Sequence, residues 1–364
     1  MTFESLYPSC FKIPKTELTI AVLRSGCSML RCICLGVVGL LAGNLFLLCR
    51  GQMISKCLYC FLVVLYFFLT TAFAIASDVW FVDTRREFVI DQLDNNSKWK
   101  TSTLDAFVQT HNPNKPLVIV THGYKMTYRE ARQFGIEFSK LTKNFGEHRF
   151  LFWSWDSDKE ICGIKSDAVN AGRKADSEAK YLTNFLKQLK PDSKVSLIGF
   201  SYGSRLISTS LQELATKKEQ TTPNNTNAEN DSAQTVLKSD AESQVKMPLI
   251  RVVFLAAAVD CDQFGQNKKY GNVLSITDKL LINVNLSDPA LLLYPLLTGL
   301  GSPKAVGRRG INTQGIPKNL SSKIKTINVR SEIGVDHTFE SSFHAFLSYR
   351  REFKKYALFN DSTF

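Results

Sequence analysis

The chain has 364 residues, 44% hydrophobic and 21% charged, with a formal net charge of +12. That composition suits a globular protein, and the length allows one large domain plus an appendage. The basic excess fits an anionic membrane surface or substrate; no nucleic-acid motif accompanies it, so no nucleic-acid partner is expected.

Residues 1–77 differ from the rest and read as an N-terminal membrane or signal region. Residues 32–49 and 57–76 are uncharged apolar runs, roughly 27 and 30 Å long as helices, which matches the hydrocarbon thickness of a bilayer. Neither run has a polar face, so membrane insertion is favoured over burial in a globular core. Two topologies stay open. Both runs can span as a hairpin, with Lys12, Lys15, Arg24 and Arg31 holding the N-terminus and the main domain in the cytoplasm. Alternatively the run from Met53 acts as a secretory signal, cleaved near Ala76 after Ala74-Ile75-Ala76. The expected location is therefore membrane-associated, or exported after that cleavage. Seven of the nine cysteines lie in this region, leaving Cys162 and Cys261 beyond it. That excludes a disulfide framework and a Cys-rich metal site in the main domain.

Residues 78–364 read as one domain. Residues 78–90 carry one or two strands, and a polar stretch, 91–103, leads to a short helix at 104–110. Leu117 to Val120 is a continuous apolar run, the mark of a strand buried on both faces. It ends at Thr121-His122-Gly123-Tyr124. An amphipathic helix is expected over 129–145, an aromatic-rich strand over 149–155, and a long helix over 168–189.

Val195, Leu197 and Ile198 then form a buried-strand signature that stops at Gly199-Phe200-Ser201-Tyr202-Gly203, and Leu206, Ile207, Leu211 and Leu214 recur at helical spacing. Strand, Gly-x-Ser-x-Gly and helix in this order make a nucleophile elbow. The turn strains the serine backbone, and flanking glycines remove the side chains that would collide with strand and helix. Ser201 is thus the candidate nucleophile.

The stretch 216–246 is polar and nearly free of large apolar residues, which reads as a disordered surface insertion. Strands are expected again over 249–259, 280–286 and 324–329, and a helix over 343–356. Asp260, Asp288 and His337 each follow one of these strands. Strands alternating with helices argue a mostly parallel central sheet with helices on both faces, whose functional groups gather at the carboxyl ends of the strands. Asp288 and Asp260 are both candidate acids on position alone. His337 is the expected base; His111 and His148 precede strands and belong at the opposite edge, and His344 sits between Phe343 and Phe346 on a core-facing helix.

On His122-Gly123-Tyr124, Trp153-Ser154-Trp155, Gly199-Phe200-Ser201-Tyr202-Gly203, Asp288-Pro289-Ala290-Leu291 and Asp336-His337, the chain from about Val79 onward resembles the α/β-hydrolase-fold serine hydrolases. It is most similar to a largely uncharacterised bacterial branch of esterase- or lipase-like proteins. That branch usually carries Trp-Pro-Ser where this chain has Trp155-Asp156-Ser157, and often Gly-His-Ser where it has Asp336-His337-Thr338. The resemblance implies a Ser201–Asp288–His337 triad, an oxyanion hole from the backbone N–H groups of Tyr124 and Tyr202, an ester or lipid-like substrate, and no cofactor or metal. Two other classes remain open: a membrane-tethered binding or scaffold protein on the same fold, and a serine peptidase.

Overall fold

The computed structural model describes residues 78–220, 247–298 and 303–361, apart from Asn144 and residues 159–162. The apolar runs at 32–49 and 57–76 lie outside the described residues, as does 221–246. Among the described residues no helix is long and apolar enough to cross a membrane.

Nine strands form one sheet: β1 (Asp78–Asp83), β2 (Val89–Leu93), β3 (Trp99–Ser102), β4 (Leu117–Thr121), β5 (Arg149–Ser154), β6 (Lys194–Phe200), β7 (Leu249–Leu255), β8 (Thr277–Val284) and β9 (Ile324–Asn328). Their spatial order is β3-β2-β1-β5-β4-β6-β7-β8-β9. From β1 to β9 every neighbouring pair is parallel; only the β1–β2 and β2–β3 pairs are antiparallel. Among the described residues the helices longer than four residues are α1 (Leu104–Thr110), α2 (Tyr128–Thr142), α3 (Ile164–Lys187), α4 (Tyr202–Gln220), α5 (Pro289–Thr298), α6 (Phe339–Ser348) and α7 (Arg350–Tyr356).

The two-sided burial of the central strands follows from their side chains. On β5, Phe150 and Phe152 point to one face, where they meet Phe138 and Phe134 of α2 at ring-centroid distances of 3.7 and 5.4 Å. Trp153 points to the other face and meets Phe185 of α3 at 5.5 Å. Successive residues of a strand face opposite ways, so a strand apolar at every position needs helices on both sides. Each such aromatic pair adds about 0.5–1.5 kcal/mol beyond the area it buries.

Several boundaries depart from the sequence reading. The polar stretch 91–103 holds the end of β2 and all of β3. A turn in which Asp94 Oδ1 accepts the Asn96 and Lys98 N–H groups at 2.9 and 2.8 Å folds the two strands back on each other. At the sheet edge β3 needs no apolar run, because two of its four residues are exposed and none is fully buried. Helix α4 continues through Thr216 to Gln220, so the polar stretch begins inside a helix. Strands β7 and β8 stop at Leu255 and Val284, short of the expected 259 and 286. The last helix is two helices that start earlier, at Phe339, and break at Tyr349, whose ψ of 61° is not helical.

Candidate active site

At the carboxyl end of β6, Ser201 has φ 51°, in the left-handed region that costs a non-glycine residue energy. Neighbouring backbone holds it there. Ser201 N–H donates to Leu255 O at 2.9 Å, and Ser201 O accepts from Ala258 N at 3.1 Å and Ser204 N at 3.1 Å. A side chain at Gly199 would come within 2.7 Å of the Ser204 backbone, and one at Gly203 within 2.6 Å of the Thr121 and His122 carbonyls. Only glycine lets β4, β6 and α4 approach this closely.

Asp288 follows β8 and opens α5. It is almost fully buried, and its Oδ1 accepts the Leu291 N–H at 3.0 Å. Its Oδ2 lies 2.6 Å from His337 Nδ1, and His337 Nε2 lies 3.4 Å from Ser201 Oγ. His337 immediately precedes Thr338, the N-cap of α6, whose hydroxyl accepts the Ser341 N–H. Phe200 packs against the imidazole at 5.3 Å between ring centroids. The structure thus brings Ser201, His337 and Asp288 into one hydrogen-bonded row from three loops. An Nε2–Oγ separation of 3.4 Å is at the long end of hydrogen-bond range.

Asp260 stands elsewhere. It accepts a hydrogen bond from the Tyr294 hydroxyl, and burial raises its pKa. Burial also pushes the neighbouring Tyr202 phenol up to about 12. This pair faces Arg205, which holds Asp176 through two hydrogen bonds of 3.0 and 2.7 Å, and not His337.

Tyr124 lies in the loop after β4. That loop is fixed by Lys125 N–H to Ser157 O at 2.9 Å and by His122, whose Nδ1–H donates to Gly123 O at 2.8 Å. His122 Nε2 accepts the Trp155 N–H at 3.2 Å. Desolvation drives the His122 pKa down to about 3, so the imidazole is a neutral brace and both its nitrogens are occupied. Tyr202 is the first residue of α4, where backbone N–H groups have no intrahelical acceptor. The remaining histidines are remote: His111 contacts Ser193 before β6, and His148 contacts Gly146 before β5. His344 is exposed, on the side of α6 away from Phe343 and Phe346. The helix faces the core as expected, but this residue does not.

One residue escaped the sequence reading. Asn285, buried in the loop after β8, donates from Nδ2 to Gly334 O at 2.9 Å and accepts Ser287 N–H on Oδ1 at 3.0 Å. It ties the loop of Asp288 to the loop of His337. Its signal was one of two amide side chains, Asn283 and Asn285, interrupting the apolar run Leu280–Leu286.

Residues 97–301, more than half of the chain, match the family described as alpha/beta hydrolase of unknown function (DUF900). The chain belongs to that family. The sheet order and the turn at Ser201 fit an α/β hydrolase, and the family description leaves the substrate open. Among solved structures, this hydrolase is similar to a gene product of Listeria innocua, at 10% identity over 69% of this chain and 96% of that one, with a TM-score of 0.34. A cutinase-like protein from Cryptococcus sp. gives 12% identity, coverage of 66% and 93%, and a TM-score of 0.29. The catalytic core of an acetyl xylan esterase from Trichoderma reesei gives 11%, 68% and 96%, and 0.30. No curated protein matches the chain in sequence.

Proposed function

We propose that the protein is a serine hydrolase that cleaves carboxylic esters through an acyl-enzyme on Ser201. The observation that carries this reading is the row Ser201 Oγ–His337 Nε2 at 3.4 Å and His337 Nδ1–Asp288 Oδ2 at 2.6 Å. In it, His337 Nε2 takes the hydroxyl proton as Ser201 Oγ attacks the ester carbonyl. Asp288 holds the Nδ1–H tautomer and stabilises the imidazolium that forms. The carbonyl oxygen, now anionic, receives the Tyr202 and Tyr124 backbone N–H groups, and losing one such donor costs about 10²–10³ in rate. His337 returns its proton to the departing alkoxide. A water, deprotonated by the same nitrogen, then releases the acid and restores Ser201.

The test uses the full chain beside its Ser201→Ala variant. A fluorophosphonate probe is expected to label the parent at Ser201 alone, and p-nitrophenyl acetate to be hydrolysed by the parent and not by the variant. A folded parent that neither labels nor hydrolyses would make the protein a binding or scaffold module on a hydrolase fold.

A further inference from the structure

Two surface features near the candidate site differ in chemistry. Beside Tyr124 lies a shallow cleft lined by Ser157, Asp158, Asp167, Asn170, Ala171 and Lys174. Binding pockets for larger ligands hold about 300–1,000 Å³ and are mostly apolar. This cleft encloses no such volume, so it offers no room to an aliphatic chain.

Helix α5 starts at the residue after Asp288 and packs on α3, whose first turns line that cleft. Leu291 and Tyr294 turn inward and are buried. Leu292 and Leu296, one and two turns beyond Asp288, are 53% and 56% exposed. Leu293 and Leu297 flank them and are only half-buried; none of these four leucines is among the described residues that pack on the core. Positions i, i+1, i+4 and i+5 share one face of a helix, so the four form a single apolar strip. Val335, two residues before His337, is 72% exposed, and Leu286, two residues before Asp288, is 42% exposed. Scattered exposed leucines need no explanation, but these begin one turn after Asp288, and Leu286 and Val335 adjoin the Asn285–Gly334 hydrogen bond that joins its loop to that of His337.

We infer that this strip receives the aliphatic chain of the substrate, so that the preferred substrates are esters of medium or long acyl chains. The inference rests on the ester-hydrolase reading above. An acyl chain lying along α5 removes methylenes from water, whereas the shallow cleft beside Tyr124 encloses no room for one. Full burial of one methylene corresponds to about fourfold in affinity, and an open helix face recovers a fraction of that.

The experiment compares kcat/KM for p-nitrophenyl octanoate and acetate, both below their aggregation limits, on the full chain and on a Leu292→Ser/Leu296→Ser double variant. The parent is expected to favour octanoate by about tenfold or more, and the double variant to lose about tenfold of that preference. Val335→Ser reads the same ratio from the histidine loop, should the double change disturb folding. A flat chain-length profile in the parent, with acetate hydrolysed and Ser201 labelled, would overturn the inference and leave the ester-hydrolase reading intact. So would a preference that survives both variants. If sedimentation then turned a parental dimer into a monomeric variant, the strip would belong to a second copy of the chain. Failure of both esters together with an unlabelled Ser201 would overturn the ester-hydrolase reading and this one with it.

Discussion

The two ends of the sheet handle buried polar groups in opposite ways. At the amino ends of the strands, Arg149 and Arg251 are each almost fully buried and each fully engaged. Arg149 donates to Asp78 Oδ2 at 2.7 Å and to the Phe107 and Thr110 carbonyls at 2.6 and 2.9 Å. Arg251 donates to Asp278 and Asp361 at 2.7 and 2.6 Å. At the carboxyl ends the groups are held less completely. Ser201 sits on strained backbone, its bond to His337 is long, and one carboxylate oxygen of Asp260 has no hydrogen-bond partner among the described residues. At the first edge the two arginines are spent on cohesion, while the second edge keeps some of its polar groups available for a ligand.

If this division is right, substitutions at the two edges separate activity from stability. The largest effect is expected at Asp288. Asp288→Asn removes the carboxylate that orients His337 and should lower kcat by about 10⁴. Asp260→Asn, read in the same ester assay with folding checked by circular dichroism, should stay within about tenfold. A crippled Asp260 variant beside a nearly normal Asp288 variant would exchange their roles.

At the opposite edge, Arg149→Met should cost about 3–5 kcal/mol in urea unfolding, because it leaves the Asp78 carboxylate and two carbonyls without their donor. Turnover per folded molecule should be unchanged within about twofold. Lost turnover with stability retained would break the comparison.

A smaller, graded effect concerns His122. Its pKa is depressed to about 3 in the fold and is near 6.5 when the chain is unfolded. Between those values the unfolded chain binds a proton that the folded one does not. Stability is therefore greatest above pH about 6.5 and falls as the pH drops toward 3, by at most about 1.4 kcal/mol per pH unit from this group. His111, depressed to about 4 by burial, adds to the same slope. Urea unfolding between pH 4.5 and 7.5 should show it, and His122→Asn should flatten it. An unchanged slope in that variant would mean that other groups set the acid sensitivity.

Much of this layout was legible in the chain. Continuous apolar runs marked β4, β5, β6 and β7 because strands buried on both faces cannot alternate. Glycines flanking Ser201 marked the elbow because tight backbone approach tolerates nothing larger. Strand β3 escaped because an exposed edge strand carries no hydrophobic period, and the break at Tyr349 escaped because no glycine or proline announces it. The pairing of Arg149 with Asp78 joins residues 71 positions apart, and an arginine at the start of a strand looks the same whether solvated or buried. Asn285 was missed for a related reason: its partners lie in loops whose meeting depends on the finished sheet.

The left-handed backbone at Ser201 bears on how the chain can change over generations. Glycine would occupy that conformation with less steric strain but would lose more freedom on folding, so Ser201→Gly is expected to leave stability nearly unchanged while removing the hydroxyl beside His337. A single substitution at this position would therefore silence the chemistry without the fold registering the loss.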